Sequence, residues 1–305
     1  MTKISSDRAA LIRLASSLPA GDGNRKVILA GLAEAPKYED IASATDFNTE
    51  KHIFGNAKVL GNAQVSGKAH VGGNAQVSGE AKVFGKAHVW ESAHVSGSSE
   101  VSDYVQVFGK AEVYENAEVF GYAKVYGSAK VSGDAVVYGS AQVSGDARVF
   151  GKAQVFGNAT IERAAAVFGK AEVSDKAQVY GLGQVSGNAK VSGNGQVSGS
   201  AQVSGNAKVS GSAGVSDDAK VYGMARVYGK AQVFGNAEVF DDAQVRGEVY
   251  VDREAKVYGS AKVYGKAQVT GSARIGGTAV IIGGSWDGSE GEILSGKWRG
   301  PGIPA

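Results

Sequence analysis

The chain has 305 residues, including 45 Gly, 4 Pro and no Cys, and 43% of it is hydrophobic, mainly Val and Ala. The missing Cys excludes disulfides, thiolate nucleophiles and thiolate metal ligands, and the apolar fraction argues against a disordered chain. Because 32 basic and 30 acidic residues are interspersed without a basic block, the net charge of +2 predicts neither a nucleic acid nor a membrane as a partner.

The N-terminal segment, 1–48, predicts a helical hairpin and a linker. Apolar residues recur at helical spacing after Ser6, which is a suitable N-cap, and Pro19 ends this segment. A second helical segment is expected from about Asn24 to Ala33. Two roles remain open for the hairpin: it covers the open end of the repeat array that follows, or it docks onto a protein partner.

The N-terminal stretch also bears on location. Arg8 and Arg13 interrupt the apolar run that a signal peptide would need, and no part of the sequence approaches 18 consecutive apolar residues. We therefore expect a cytoplasmic protein, which can still be incorporated into a larger particle.

A six-residue repeat occupies most of the chain. From Gly55 to Ile282 the sequence divides into 38 hexads of the form G-x-A-x-V-x without insertion or deletion, as in "GSAKVSGDAVVYGSAQVSGDARVF" at residues 127–150. The fifth residue is Val in 35 hexads and Ile in three, the third is Ala in 33, and the first is Gly in 30. We assign 1–48 to the hairpin and linker, 49–282 to the repeat domain and 283–305 to a C-terminal cap.

Each column of the hexad has a physical reason. In A-x-V the side chains alternate, so Ala and Val point to one side and the residues between and after them to the other. The following G-x pair forms a corner, because Gly adopts positive φ at little cost. Three consecutive hexads, each a strand and a corner, then close one triangular coil. Stacked coils pair their strands in parallel, which predicts an all-β solenoid of roughly 13 coils.

The V-x-G-x-A-x phrase resembles the hexapeptide repeat of the left-handed parallel β-helix, found in the bacterial hexapeptide-repeat transferases, over about three quarters of the chain. This resemblance implies a single left-handed β-helix, commonly a trimer, and acyltransferase activity in the enzymatic members. Those enzymes extrude a loop that builds the acyl-donor site and place a catalytic His near a subunit boundary. No loop interrupts Gly55–Ile282, so the chain departs from the enzymes on that point.

Four histidines are the only candidate general bases of the usual kind. His52, His70 and His88 recur once per coil and should stack on one face, as a metal or proton-handling ladder or as ordinary polar residues. We favour ordinary polar residues, because the pattern fixes no carboxylate beside them. His88 and His94 lie in consecutive hexads and fall on different faces, which argues against a zinc site. We assign no catalytic, metal or cofactor-binding residue.

The face that carries His52 is poor in charge. We compared the residue directly before the core Val or Ile, which occurs 13 times on each face. It is formally charged once on this face, at Lys124, and eight times on each of the other two faces. Interfaces lose Lys and Glu and keep aromatic residues, although Gln ladders that bond one another would give the same composition. We predict that this face packs in a homo-oligomer, a trimer by the resemblance, or against the N-terminal helices. The predicted interface residues are His88, Trp90, Gln106, Phe108, Tyr126, Gln142, Gln178, Tyr180, Gln196, Gln232 and Phe234.

Three functions are compatible with the sequence. The favoured one is a non-enzymatic rod that acts as a scaffold, a spacer or a fibre component, for which a phage or mobile element is a compatible source. The alternative is a hexapeptide-type acyltransferase that uses an acyl-CoA donor. A weaker alternative is a rod that binds glycans along the aromatic column of Trp90, Phe108 and Tyr126. The tail carries Trp286, Ile293, Leu294 and Trp298 and is expected to fold over the last coil.

Overall fold

The structure is a computed structural model that describes residues 52–301, 303 and 304. These residues form an all-β parallel β-solenoid of about 13 coils, as the hexad pattern predicts. The described residues divide into two compact units, 52–144 with Val155–Asn158 and Gly145–Gln154 with 159–301, 303 and 304, and each is described by itself. The helical hairpin predicted for residues 1–48 lies outside the described residues, and the left-handed sense of the coil stays a prediction. Within the described range, no helix is long and apolar enough to cross a membrane.

The first unit contains three parallel sheets, in which each strand pairs with the third strand after it along the chain. Sheet 1 of this unit consists of β1 (Lys58–Val59), β4 (Gln76–Val77), β7 (His94–Val95), β10 (Glu112–Val113) and β13 (Lys130–Val131). Sheet 2 consists of β2 (Gln64–Val65), β5 (Lys82–Val83), β8 (Glu100–Val101), β11 (Glu118–Val119) and β14 (Val136–Val137). Sheet 3 consists of β3 (His70–Val71), β6 (His88–Val89), β9 (Gln106–Val107), β12 (Lys124–Val125) and β15 (Gln142–Val143).

The second unit repeats this arrangement. Its sheet 1 consists of β16 (Arg148–Val149), β19 (Ala166–Val167), β22 (Gln184–Val185), β25 (Gln202–Val203), β28 (Lys220–Val221), β31 (Glu238–Val239), β34 (Lys256–Val257), β37 (Arg274–Ile275) and β40 (Glu292–Ile293). Its sheet 2 consists of β20 (Glu172–Val173), β23 (Lys190–Val191), β26 (Lys208–Val209), β29 (Arg226–Gly229), β32 (Gln244–Gly247), β35 (Lys262–Val263), β38 (Val280–Ile281), β41 (Lys297–Gly300) and β42 (Ile303–Pro304). Its sheet 3 consists of β18 (Thr160–Ile161), β21 (Gln178–Val179), β24 (Gln196–Val197), β27 (Gly214–Val215), β30 (Gln232–Val233), β33 (Tyr250–Val251), β36 (Gln268–Val269) and β39 (Ser285–Trp286). Strand β17 (Gln154–Val155) has one residue in each unit.

The core consists of the Val and Ala columns. From Val65 to Ile281, every Val or Ile at the fifth position of a hexad is at most 2% exposed. The residues on either side of that column point outward and are intermediate or exposed for the most part. One hexad therefore contributes one core Val and two side chains on the outer face of its sheet.

The corners confirm the reason given for the Gly column. Every residue at the first position of a hexad has φ between 56° and 89°, including the eight that are not Gly. Six of those eight are Asp or Glu, and each accepts a hydrogen bond from the backbone N–H of the corner Gly on the next coil. In one case Gly193 N donates to Asp175 Oδ2 at 2.9 Å. This bond offsets part of the cost of a left-handed conformation for a residue with a Cβ.

The tail continues the sheets of the second unit. Strand β39 pairs in parallel with β36, and Trp286 takes the position of a core Val and is 1% exposed. Strands β40 and β41 pair with β37 and β38, and β42 then turns back antiparallel to β41. The tail is thus an irregular continuation of the coils, and the boundary of a separate cap at residue 283 stays a prediction.

Candidate interaction surfaces

The predicted interface residues lie on sheet 3 of the two units. In the first unit they occupy β6, β9 and β15 and the positions directly after β6, β9 and β12. In the second unit they occupy β21, β24 and β30 and the positions directly after β21 and β30. Each unit therefore has an outer face of sheet 3 that is poor in charge. In the second unit, Glu162 and Asp252 also lie on this face, directly after the core residue. The sequence count did not include them, because it covered only the residue before the core Val or Ile.

In the first unit, sheet 3 carries a continuous series of ring contacts. The ring centroids of His52 and His70 are 6.4 Å apart, and those of His70 and His88 are 5.0 Å apart, so the expected histidine stack is present. His88 contacts Trp90 edge-on at 6.2 Å, and Trp90 contacts Phe108 edge-on at 5.8 Å. The spacing of about 4.8 Å between parallel strands brings equivalent side chains of successive coils into this range.

The geometry of these rings limits what they can bind. Phe108 and Tyr126 are stacked face to face, with centroids 5.0 Å apart and an interplanar angle of 4°. Tyr104 and Tyr122, at the neighbouring corner, are stacked at 4.8 Å and 13°. Each ring of these two pairs therefore has one face covered by its partner, which reduces the ring surface that a sugar can contact. Trp90 is 42% exposed and differs in orientation, since its ring lies perpendicular to that of Phe108.

The histidine stack has its own electrostatics. Burial lowers the pKa of His88, and the neighbouring His70 imidazole lowers this pKa further. His52 Nδ1 lies within hydrogen-bonding distance, 2.9 Å, of the carbonyl oxygen of Ala69. In the part of the chain that the structure describes, no three His, Cys, Asp or Glu side chains converge in a way that would hold a metal ion.

On sheet 3 of the second unit, Gln side chains replace most of the ring contacts found in the first unit. Gln178 and Gln196 are directly paired on neighbouring strands, and both are exposed. Further along, the Gln232 side chain folds over Gly214, where an added Cβ would clash with Gln232 Oε1. Gln232 Nε2 donates to the carbonyl oxygen of Lys230 at 3.2 Å. This face is polar, with few formal charges and one exposed ring, Tyr250, at 48% exposure.

Perturbed pKa values on sheet 1 of the second unit have a structural origin. Tyr222 donates to Glu238 Oε2 at 3.0 Å, and burial together with this bond raises the pKa of Tyr222 to about 12. Burial raises the pKa of Tyr258, which hydrogen-bonds Glu292, a carboxylate also bonded to Arg274 Nε at 3.0 Å. Phe240 lies between the two Tyr rings and stacks on both. These groups form a ladder of rings and ion pairs that contacts neighbouring coils, which accounts for the shifts without a catalytic role.

Sequence reasoning missed a concentration of positive charge on sheet 2 of the second unit. Five cationic residues, the basic column, follow one another along this sheet, and all five are exposed. The basic column consists of Lys190, Lys208, Arg226, Arg246 and Lys262. A recess of about 140 Å³ near its end is lined by Gln244, Arg246, Lys262 and Tyr264. The sequence count gave only the number of charged residues on this face. Recording the sign of the charge on each successive strand would have revealed the basic column.

Fold and surfaces together define the chain as a parallel β-solenoid repeat protein. A family model described as "YdcK Beta solenoid repeat" matches two stretches, residues 141–155 and 201–217, so these hexads are similar to that repeat. No curated protein matches the chain. Membership of the hexapeptide-repeat transferases stays a prediction from the sequence.

Proposed function

We propose that the chain is a non-catalytic structural β-solenoid that acts as a scaffold or spacer and associates with copies of itself through sheet 3. One observation carries the structural role. Strands begin every six residues from Lys58 to Gln142 in the first unit and from Thr160 to Val280 in the second. Each residue of these segments is a core residue, a corner residue or an outward-facing residue of a strand. No residue is therefore left over to form a loop that would enclose a substrate.

The low charge of sheet 3 supports the choice of this face for self-association. Paired Gln residues such as Gln178 and Gln196 can meet another copy without the desolvation cost of buried Lys or Glu. The exposed Trp90 adds an aromatic side chain of the kind that anchors interfaces. A trimer is the assembly that the sequence resemblance implies.

Sedimentation velocity tests this proposal with a matched pair of variants. Gln178→Glu with Gln196→Glu places two like charges on neighbouring strands of sheet 3 and should dissociate the assembly. Gln184→Glu with Gln202→Glu makes the same change on neighbouring strands of sheet 1 and should leave it intact. A monomeric wild-type chain, or equal behaviour of the two variants, would refute association through sheet 3. Titration calorimetry with acetyl-CoA should show no binding; saturable binding with acyl transfer would overturn the structural role.

A further inference from the structure

The basic column lies on neighbouring strands, and of its five members only Lys190 has an acidic partner, Glu172, among the described residues. Lys190 pairs in register with Lys208, and Lys208 pairs with Arg226. Gln244 follows Arg226 and precedes Lys262, and Arg246 lies beside Tyr228. Like charges directly opposite each other on adjacent strands destabilise a sheet. The second unit therefore keeps a charge arrangement that its own folding does not favour.

The ion pairs of the second unit show which of its cations have a carboxylate partner. Lys190 is bonded to Glu172, whereas within the described residues no carboxylate forms an ion pair with Lys208, Arg226, Arg246 or Lys262. On sheet 1 of the same unit, by contrast, Lys256 pairs with Glu238 and Arg274 with Glu292. Four exposed cations on one face are thus available to a ligand.

We propose that the basic column binds a linear polysaccharide that carries a carboxylate on each sugar. The cations recur along the stacking direction at about one strand spacing, near 4.8 Å. A 1,4-linked pyranose ring advances by a similar length, and the chain turns between sugars. Carboxylates on one side of the polymer therefore recur every second or third sugar and can meet cations two rungs apart, such as Arg226 and Lys262. Charge complementarity in register, repeated over several rungs, gives the avidity that single exposed ion pairs lack.

Neutral groups beside the cations favour a sugar polymer over other polyanions. Ser192, Ser210 and Tyr228 each lie two residues after a cation and present hydroxyl groups on the same outer face. A polyuronate offers these hydroxyl groups both hydrogen-bond donors and acceptors, whereas polyphosphate offers acceptors only. The Arg246 guanidinium lies 4.9 Å from the ring centroid of Tyr264 and covers one face of this ring, which leaves less aromatic surface for stacking the bases of a single-stranded nucleic acid.

Binding of fluorescently labelled polygalacturonate oligomers to the full chain, followed by anisotropy, tests the proposal. We expect saturable binding that weakens with salt and is not inhibited by neutral dextran. The triple variant Lys208→Gln, Arg226→Gln and Lys262→Gln should bind at least about tenfold more weakly, with a salt slope lower by about two. The control variant Lys58→Gln, Lys110→Gln and Lys220→Gln removes the same charge from exposed positions outside sheets 2 and 3 and should bind like the wild type.

Several results would overturn the proposal. Equal losses in the two triple variants would show attraction to overall charge, not to the basic column. Polyphosphate or single-stranded DNA binding as tightly as polygalacturonate would exclude recognition of a sugar polymer. Absence of binding at low salt, with circular dichroism confirming folded protein, would exclude the site itself. None of these results bears on self-association through sheet 3.

Discussion

Lys190 Nζ bonds both carboxylate oxygens of Glu172, at 2.9 and 2.7 Å, and the two residues are 18 positions apart in the sequence. Six other ion pairs between described residues have the same separation. So do the stacked rings, such as Phe108 with Tyr126 and Phe240 with Tyr258. The core repeats every six residues and cannot distinguish one hexad from the next. Outward side chains therefore specify which hexads lie on neighbouring coils.

Duplications in the second unit test this role of the outward ladders. A second copy of residues 241–258 adds one coil and keeps Lys230 beside Glu248 and Phe240 beside Tyr258. A second copy of residues 241–246 alone preserves the core pattern but moves later residues onto the next face. We expect the hexad duplication to melt a few degrees lower than the coil duplication by circular dichroism, because the ring stack and ion pairs are lost. Identical melting would mean that the outward residues do not select the register.

The repeat made the fold predictable, because burial and backbone conformation are periodic properties. The Val column is buried and the first hexad position has positive φ, as the sequence indicated. The structure of the tail was harder to predict. Trp286 enters the core by pairing with Val269, and the coil between these two residues is one residue shorter than a regular coil. The basic column was missed for another reason. It is recognised by the sign of the charges along one face, whereas the sequence analysis compared only the number of charged residues.

A charge in the Val column should be severely destabilising. Val185 is fully buried and is flanked by Val167 and Val203 on neighbouring strands. Val185→Asp buries a carboxylate without a partner, which we expect to cost at least about 3 kcal/mol or to prevent folding. Gln184→Asp places the same carboxylate on the exposed side of the same strand and should change the free energy of unfolding by less than about 0.5 kcal/mol. Denaturant unfolding measures both, and equal effects would contradict the assignment of the two faces.

Corner glycines should differ in their tolerance of a Cβ according to what lies beside them. Gly199 and Gly291 both have positive φ, 62° and 74°. A Cβ on Gly199 would lie 2.6 Å from the backbone nitrogen of Asp217, whereas a Cβ on Gly291 would meet nothing within 4 Å. Gly291→Ala should therefore cost only the left-handed backbone term of about 1–2 kcal/mol. Gly199→Ala should cost clearly more, as measured by the denaturant midpoint, and a smaller loss at Gly199 than at Gly291 would disprove contact between the corners.

The pKa of His88 in the first unit should respond to its neighbour His70. Burial is the larger cause of the lowered pKa of His88, and the His70 imidazole is the second. We expect His70→Gln to raise the pKa of His88 only partly, because the burial remains. His52→Gln is the matched control and should leave this pKa unchanged, since His52 is not among the groups that shift it. Titration of the ring carbon resonances by NMR measures each value, and a full return to the ordinary pKa of 6.5 in His70→Gln would mean that burial does not contribute.

The same shift fixes the sign of a pH effect on stability. In the unfolded chain His88 binds a proton near its ordinary pKa of 6.5, and in the folded chain it does so only at lower pH. The unfolded state therefore binds more protons as the pH falls below about 6.5, and the stability contributed by the neutral ring is lost over that range. Hydrogen exchange at the amides of Val89 and Val107 should be faster at pH 5.5 than at pH 7.5, after correction for intrinsic exchange. His88→Gln should reduce this acceleration, because Gln has no proton to gain. An acceleration of unchanged size in His88→Gln would assign it to other groups.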